Sequence, residues 1–92
     1  MEAPYQEVEV RPNHFSLSGT EIYRHFLNYY PEVVGKRVKF IYPEGREEWI
    51  AKGNYHREEG PARIFPGILS QYWLKGTIYQ KKSGESIDSK KI

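Results

Sequence analysis

Laying the chain against itself so that Ile41 falls on Ile64 also brings Pro43 onto Pro66, Lys52 onto Lys75 and Gly53 onto Gly76 without a gap. Between these identities Tyr42 meets Phe65, Glu48 meets Gln71 and Trp49 meets Tyr72. Proline sets φ and glycine permits positive φ, so proline and glycine recurring at the same spacing mark turns of the same shape. The segments between them are rich in β-branched and aromatic residues, which favour strands. The chain is therefore expected to contain two adjacent copies of one antiparallel hairpin unit, over about residues 37–80.

Each strand of the first copy can be read directly. Val38, Phe40 and Tyr42 point one way and Arg37, Lys39 and Ile41 the other, Pro43-Glu44-Gly45 turns the chain, and Glu48 to Ala51 returns with Trp49. Lys52-Gly53-Asn54 then supplies a glycine for a second tight turn. In the second copy Ala62 to Phe65 is extended before Pro66-Gly67, and a strand pair is expected from Gln71 to Lys75 and from Thr77 to Gln80. Ile68 to Leu74 is ambiguous, its period being compatible with one or two helical turns, while Tyr72-Trp73 and the hairpin-like Lys75-Gly76-Thr77 favour a strand pair. Beyond Gln80 the composition falls to Lys, Ser, Gly, Glu and Asp, so residues 81–92 are expected to be a frayed tail.

The first third of the chain is different. Glu7-Val8-Glu9-Val10 alternates with period two, predicting a strand from about Tyr5 to Arg11 that Pro12-Asn13 ends. Ser18-Gly19-Thr20-Glu21 has the form of a capping box, and Ile22, Phe26 and Tyr29 or Tyr30 follow at helical spacing until Pro31. A helix of about three turns is marginal alone in water and needs an apolar surface to lie on. With 92 residues there is room for one core. The expected fold is a single α+β domain over residues 1–80: an antiparallel sheet of about four to six strands with one short amphipathic helix packed on it.

The segment Lys52-Gly53-Asn54-Tyr55-His56-Arg57-Glu58-Glu59-Gly60-Pro61-Ala62 resembles the His-Arg-x-Asp-Gly-Pro-Ala unit of the MORN-variant repeats of small phage and other viral proteins. Trp49, Gly53, His56, Arg57, Glu58, Gly60, Pro61 and Ala62 fall on the pattern, and Glu59 stands where aspartate is usual. In the second copy Tyr79-Gln80-Lys81-Lys82-Ser83-Gly84 lacks the His-Arg and Gly-Pro-Ala elements, as a terminal repeat would. The resemblance covers about residues 37–80 and implies a run of antiparallel hairpins that acts as an interaction module rather than an enzyme. By analogy it implies a viral accessory protein that docks on and inhibits a host complex, such as a CRISPR-type defence nucleoprotein machine.

Composition narrows the function classes. Without cysteine there is no disulfide, thiolate zinc site or cysteine nucleophile, and a cytoplasmic location is the expectation. The amino terminus lacks the pattern of a secretion signal, and no run is long enough to cross a membrane, so no membrane partner is expected. No Ser-His-Asp order, phosphate-binding glycine loop or helical His pair can be assembled, and no catalytic residue, metal or cofactor is assigned. His56 with Glu58 and Glu59 has the residue types of a metal or hydrolytic cluster, but the repeat offers a structural role: His56 and Arg57 bonded to backbone carbonyls or nearby carboxylates.

Charge is divided unevenly. Residues 1–35 hold two Arg against five Glu, whereas residues 36–92 hold twelve Lys or Arg against seven acids. The basic second half, with interleaved aromatics, makes direct nucleic-acid contact the alternative to protein binding. The residues expected to meet a host protein or nucleoprotein partner are Tyr29, Tyr30, Arg46, Trp49, Tyr55, Arg57, Arg63 and Tyr72. Adjacent Tyr29 and Tyr30 cannot both face one core, so one of them should be exposed.

Overall fold

The computed structural model describes residues 3–80, and the expected frayed tail of residues 81–92 lies outside them. Seven strands form one sheet: β1 (Gln6–Glu9), β2 (Val38–Ile41), β3 (Glu47–Ala51), β4 (Asn54–Tyr55), β5 (Arg63–Phe65), β6 (Leu69–Leu74) and β7 (Thr77–Tyr79). Their order is β1-β2-β3-β5-β6-β7, with β4 paired to β3 beside β5. All pairs are antiparallel except β1 with β2, which is parallel. A parallel neighbour requires a crossover, and residues 10–37 supply it with helix α1 (Gly19–His25) and three short 3-10 turns.

The repeat is visible as pairing register. Phe40 faces Glu48 and Ile41 faces Glu47; one repeat later Arg63 faces Gln71 and Ile64 faces Ser70. Ile50 with Tyr55 and Ala51 with Asn54 return as Trp73 with Ile78 and Leu74 with Thr77. Even the tight turns match: φ is 54° and 80° at Lys52-Gly53 and 51° and 84° at Lys75-Gly76. Positive φ at both central residues is what a two-residue type I′ hairpin demands, because its twist follows that of the strands. The ambiguous Ile68 to Leu74 stretch is thus a strand.

Helix α1 is shorter than its apolar spacing suggests. Its start is as expected, with Glu21 N–H donating to Ser18 Oγ at 3.2 Å and the Glu21 carboxylate accepting from Ser18 N–H. It ends after seven residues, where Phe26 takes φ −128°, and the chain continues as 3-10 turns at Leu27–Tyr29 and Pro31–Val33. α1 lies against the face of β3 that carries Glu48 and Ile50, and Ile22, Val33, Val38, Phe40, Tyr42 and Ile50 form the core beneath it.

Candidate functional site

Glu48 is the most unusual side chain in the fold, a carboxylate with 0% exposure at the centre of the sheet. Its Oε1 accepts from Gly19 N–H at 2.6 Å and from the Tyr55 hydroxyl at 2.8 Å. Its Oε2 accepts from Arg46 Nε at 2.8 Å and Nη2 at 2.7 Å, and from Arg63 Nε and Nη2 at 3.3 and 3.2 Å. A buried charge is tolerable only when paired and hydrogen-bonded, and both oxygens here have donors. The same carboxylate holds the first N–H of α1, where negative charge is favoured by the helix dipole.

Aromatic rings complete this cluster. The Arg46 guanidinium lies 4.1 Å from the Tyr42 ring centre and 5.1 Å from that of Phe65, and Arg63 lies 4.6 Å from Tyr55 and 4.9 Å from Phe65. Burial opposes the charge of Arg46, but the Glu48 carboxylate outweighs it and raises the Arg46 pKa. Burial, with Glu48 second, raises Tyr42 and Tyr55, so both phenols stay neutral above their ordinary range. Tyr42 donates its O–H to Leu17 C=O at 2.6 Å.

The His-Arg-x-x-Gly-Pro-Ala segment acts as a joint between the two hairpins. Lys75 N–H, in the second tight turn, donates to His56 Nδ1 at 2.9 Å, and Gly76 N–H donates to Tyr55 C=O at 2.9 Å. An acceptor Nδ1 places the neutral imidazole proton on Nε2, which faces Glu58 Oε2 at 3.6 Å. Tyr5 donates its O–H to His56 C=O at 2.8 Å, tying the N-terminal strand to this joint. Arg57 stacks 3.9 Å from the Trp49 ring centre, donates from Nη1 to Pro61 C=O at 3.1 Å, and packs on Gly60, where an added Cβ would stand 3.0 Å from Cζ. The residue types of the motif are thereby explained by packing: a flat cation between an indole and a backbone that has no side chain. Among the described residues no group of three or more His, Asp or Glu is placed to hold a metal ion.

The structure divides the residues predicted to meet a partner. Trp49 and Tyr55 are buried, which corrects their assignment to a partner surface, and so is Tyr30, the inward member of its pair with Tyr29. Tyr30 bonds His14 Nδ1 at 2.8 Å and accepts from Arg11 N–H at 3.0 Å, while Trp49 sits between Arg57 and Lys39. Arg46 and Arg63 are turned onto Glu48, and Arg57 onto Trp49 and Pro61. Tyr29 is 43% exposed, the expected outward member of its pair, and Tyr72 is half-buried beside Tyr79, with ring centres 5.8 Å apart.

The residues assigned to a partner from sequence, apart from Arg63 and Tyr72, lie outside the half of the sheet that the described residues leave most open. No residue of β5, β6 or β7 is fully buried, although these strands carry Ile64, Phe65, Leu69, Tyr72, Trp73, Leu74, Ile78 and Tyr79. Cross-strand register places Phe65, Leu69, Trp73 and Ile78 on the face that α1 covers further along the sheet. There Leu69 is 46% and Ile78 49% exposed, and the adjoining turn residue Ile68 is 79% exposed. The signal available in the sequence was one helix of limited length against two hairpins, too little to cover both. Comparison with known proteins returns no matching family model, no matching curated protein and no matching solved structure.

Proposed function

We propose that this chain is a non-enzymatic protein-binding module that docks through the half of its sheet formed by β5, β6 and β7. The observation that carries this reading is the apolar face of Phe65, Leu69, Trp73 and Ile78, continuous with the buried face under α1, where among the described residues Leu69 and Ile78 stand half exposed and Phe65 and Trp73 are partly buried. A contiguous apolar sheet face left in water is characteristic of an interaction surface. The resemblance to viral repeat proteins supports a partner within an infected host cell, such as a defence nucleoprotein complex. No helix among the described residues is long and apolar enough to cross a membrane.

Direct nucleic-acid binding draws less support from the geometry. Arg46 and Arg63 share the Glu48 carboxylate, Lys39 lies 3.6 Å from both Glu7 and Glu47, and Arg57 is stacked and bonded internally. Cations held this way are poorly placed to neutralise phosphates. Of the aromatics interleaved with the basic residues, Phe40, Tyr42, Trp49 and Tyr55 are buried and Tyr72 is half-buried.

The test uses the tagged full chain, with and without Leu69→Lys and Ile78→Lys together, to capture partners from the cells in which it acts. Both side chains are half exposed, so the pair of lysines should leave the melting temperature nearly unchanged and remove the captured protein. An identical capture profile for both chains would refute docking through this face. Capture lost on nuclease treatment, with affinity falling steeply as salt rises, would favour the nucleic-acid reading instead.

A further inference from the structure

The first repeat shows what sits on a flank that the described residues of the second repeat leave open. On β3, Glu47 and Glu48 pair with Ile64 and Arg63, and Trp49 N–H donates to Ala62 C=O at 2.8 Å. Moved forward by one repeat, this flank becomes Ser70, Gln71 and Tyr72 on β6. Among the described residues the Leu69–Gln71 half of β6 pairs with β5 alone, and β7 pairs with Tyr72–Leu74. Gln71 C=O is turned towards β5, where Ala62 N–H donates to it at 2.8 Å. Successive residues of an extended antiparallel strand turn their backbone groups to opposite sides, so Ser70 presents its N–H and C=O to the open flank.

We propose that this flank binds an extended segment of a partner protein, which adds antiparallel to β6 in the register that β5 takes on β3. The proposal rests on the protein-binding reading above and specifies the form of the partner. A second copy of the chain has no free β5 to offer, because that strand is paired by β3 on one side and β6 on the other.

The template also specifies the partner's side chains. In the first repeat Glu48 receives Arg63 from the added strand. In the second repeat Gln71 stands in its place, and Gln71 Oε1 already accepts from Arg63 Nη1 at 3.3 Å and Trp73 Nε1 at 3.2 Å. Its amide N–H groups remain to donate, with Arg63 beside them. The added strand therefore carries an acceptor such as Asp, Asn or Ser opposite Gln71, where β5 has Arg63, and an aliphatic residue opposite Ser70, where β5 has Ile64. Backbone bonds supply the attachment and these two positions the selectivity.

Two labelled peptides test this against the full chain by fluorescence anisotropy: the sequence from Gly60 to Phe65, and the same peptide with Arg63→Asp. The aspartate peptide should bind at least about tenfold more tightly, a difference of about 1.4 kcal/mol. In the Gln71→Glu chain the order should reverse, which a merely structural role for Gln71 would not produce. Ser70→Pro removes only the outward N–H and should abolish binding of both peptides; proline is tolerated where a strand N–H faces no partner. Should Ser70→Pro fail to fold, the reversal at Gln71 decides alone. Absence of binding, equal affinity for the two peptides, or indifference to Gln71→Glu would overturn strand addition. If peptide binding fails while capture still responds to the Leu69 and Ile78 lysines, the docking face stands and only the strand addition falls.

Discussion

At the scale of single residues, the molecule is organised around one carboxylate. Glu48 joins the start of α1, two arginines and a tyrosine hydroxyl, so residues from four separate stretches of chain depend on its charge. Replacing both sides of such a cluster with apolar groups can be neutral, but removing one partner leaves the other charges uncompensated. Glu48→Gln preserves the shape and removes the charge from beside Arg46 and Arg63, whose side chains are 16% and 18% exposed. The expected loss is about 3 kcal/mol, the low end for a broken buried pair because water still reaches both guanidinia. Urea titration measures it, and a loss under about 1 kcal/mol would mean that solvent already screens the cluster. The sequence offered no sign of this role: Glu48 is one acid among several in a mixed-charge segment, and nothing local distinguishes it from Glu47. Its burial follows from strand register, which turns Glu48 under the helix and Glu47 towards Lys39.

At the scale of elements, the repeated hairpin was readable because turns make chemical demands that only a few residue types meet. Gly53 and Gly76, at φ 80° and 84°, sit where a side chain is strained regardless of space. Gly53→Val should destabilise the fold by more than about 1 kcal/mol, since a β-branched residue at positive φ is a true outlier. Thermal melting compared with a Gly53→Asn control, which tolerates the left-handed region, isolates the backbone contribution. Equal melting of the two variants would count against the assigned turn. The helix was placed correctly at its start and overextended at its end. A capping box is a local hydrogen-bond pattern and therefore legible, whereas the end of α1 follows from Phe26, Leu27 and Tyr30 turning inward around His14 and the sheet. The parallel pairing of β1 with β2 likewise has no local signature, because alternation reports a strand and says nothing of its neighbour's direction.

At the scale of the whole molecule, the core is lopsided. α1 and the crossover cover β1, β2 and β3, and among the described residues the strands of the second hairpin have no comparable cover. Local stability follows buried apolar contact, so backbone amides of β2 and β3 should exchange with deuterium near the global unfolding rate. Those of β6 and β7 should exchange faster by sub-global opening, and a bound partner should slow them selectively. Uniform protection across all strands would show that the second hairpin is stabilised as strongly as the first. An uncovered, less protected hairpin on a rigid base is a suitable receptor, because covering it costs no rearrangement of the core.

The sequence by itself determined the repeat and its period, the hairpin turns, the helix cap and the α+β fold class. Each of these depends on backbone angles or hydrogen bonds between residues close along the chain, so residue type reveals them. Only the tertiary structure decided which aromatic residues are core, which arginines are neutralised, and which half of the sheet remains open. Those properties depend on which groups the fold brings against each strand from elsewhere in the chain. Trp49 and Tyr72 occupy equivalent repeat positions on the face away from α1, yet Trp49 is buried beside Arg57 and Lys39 while Tyr72 is half-buried beside Tyr79.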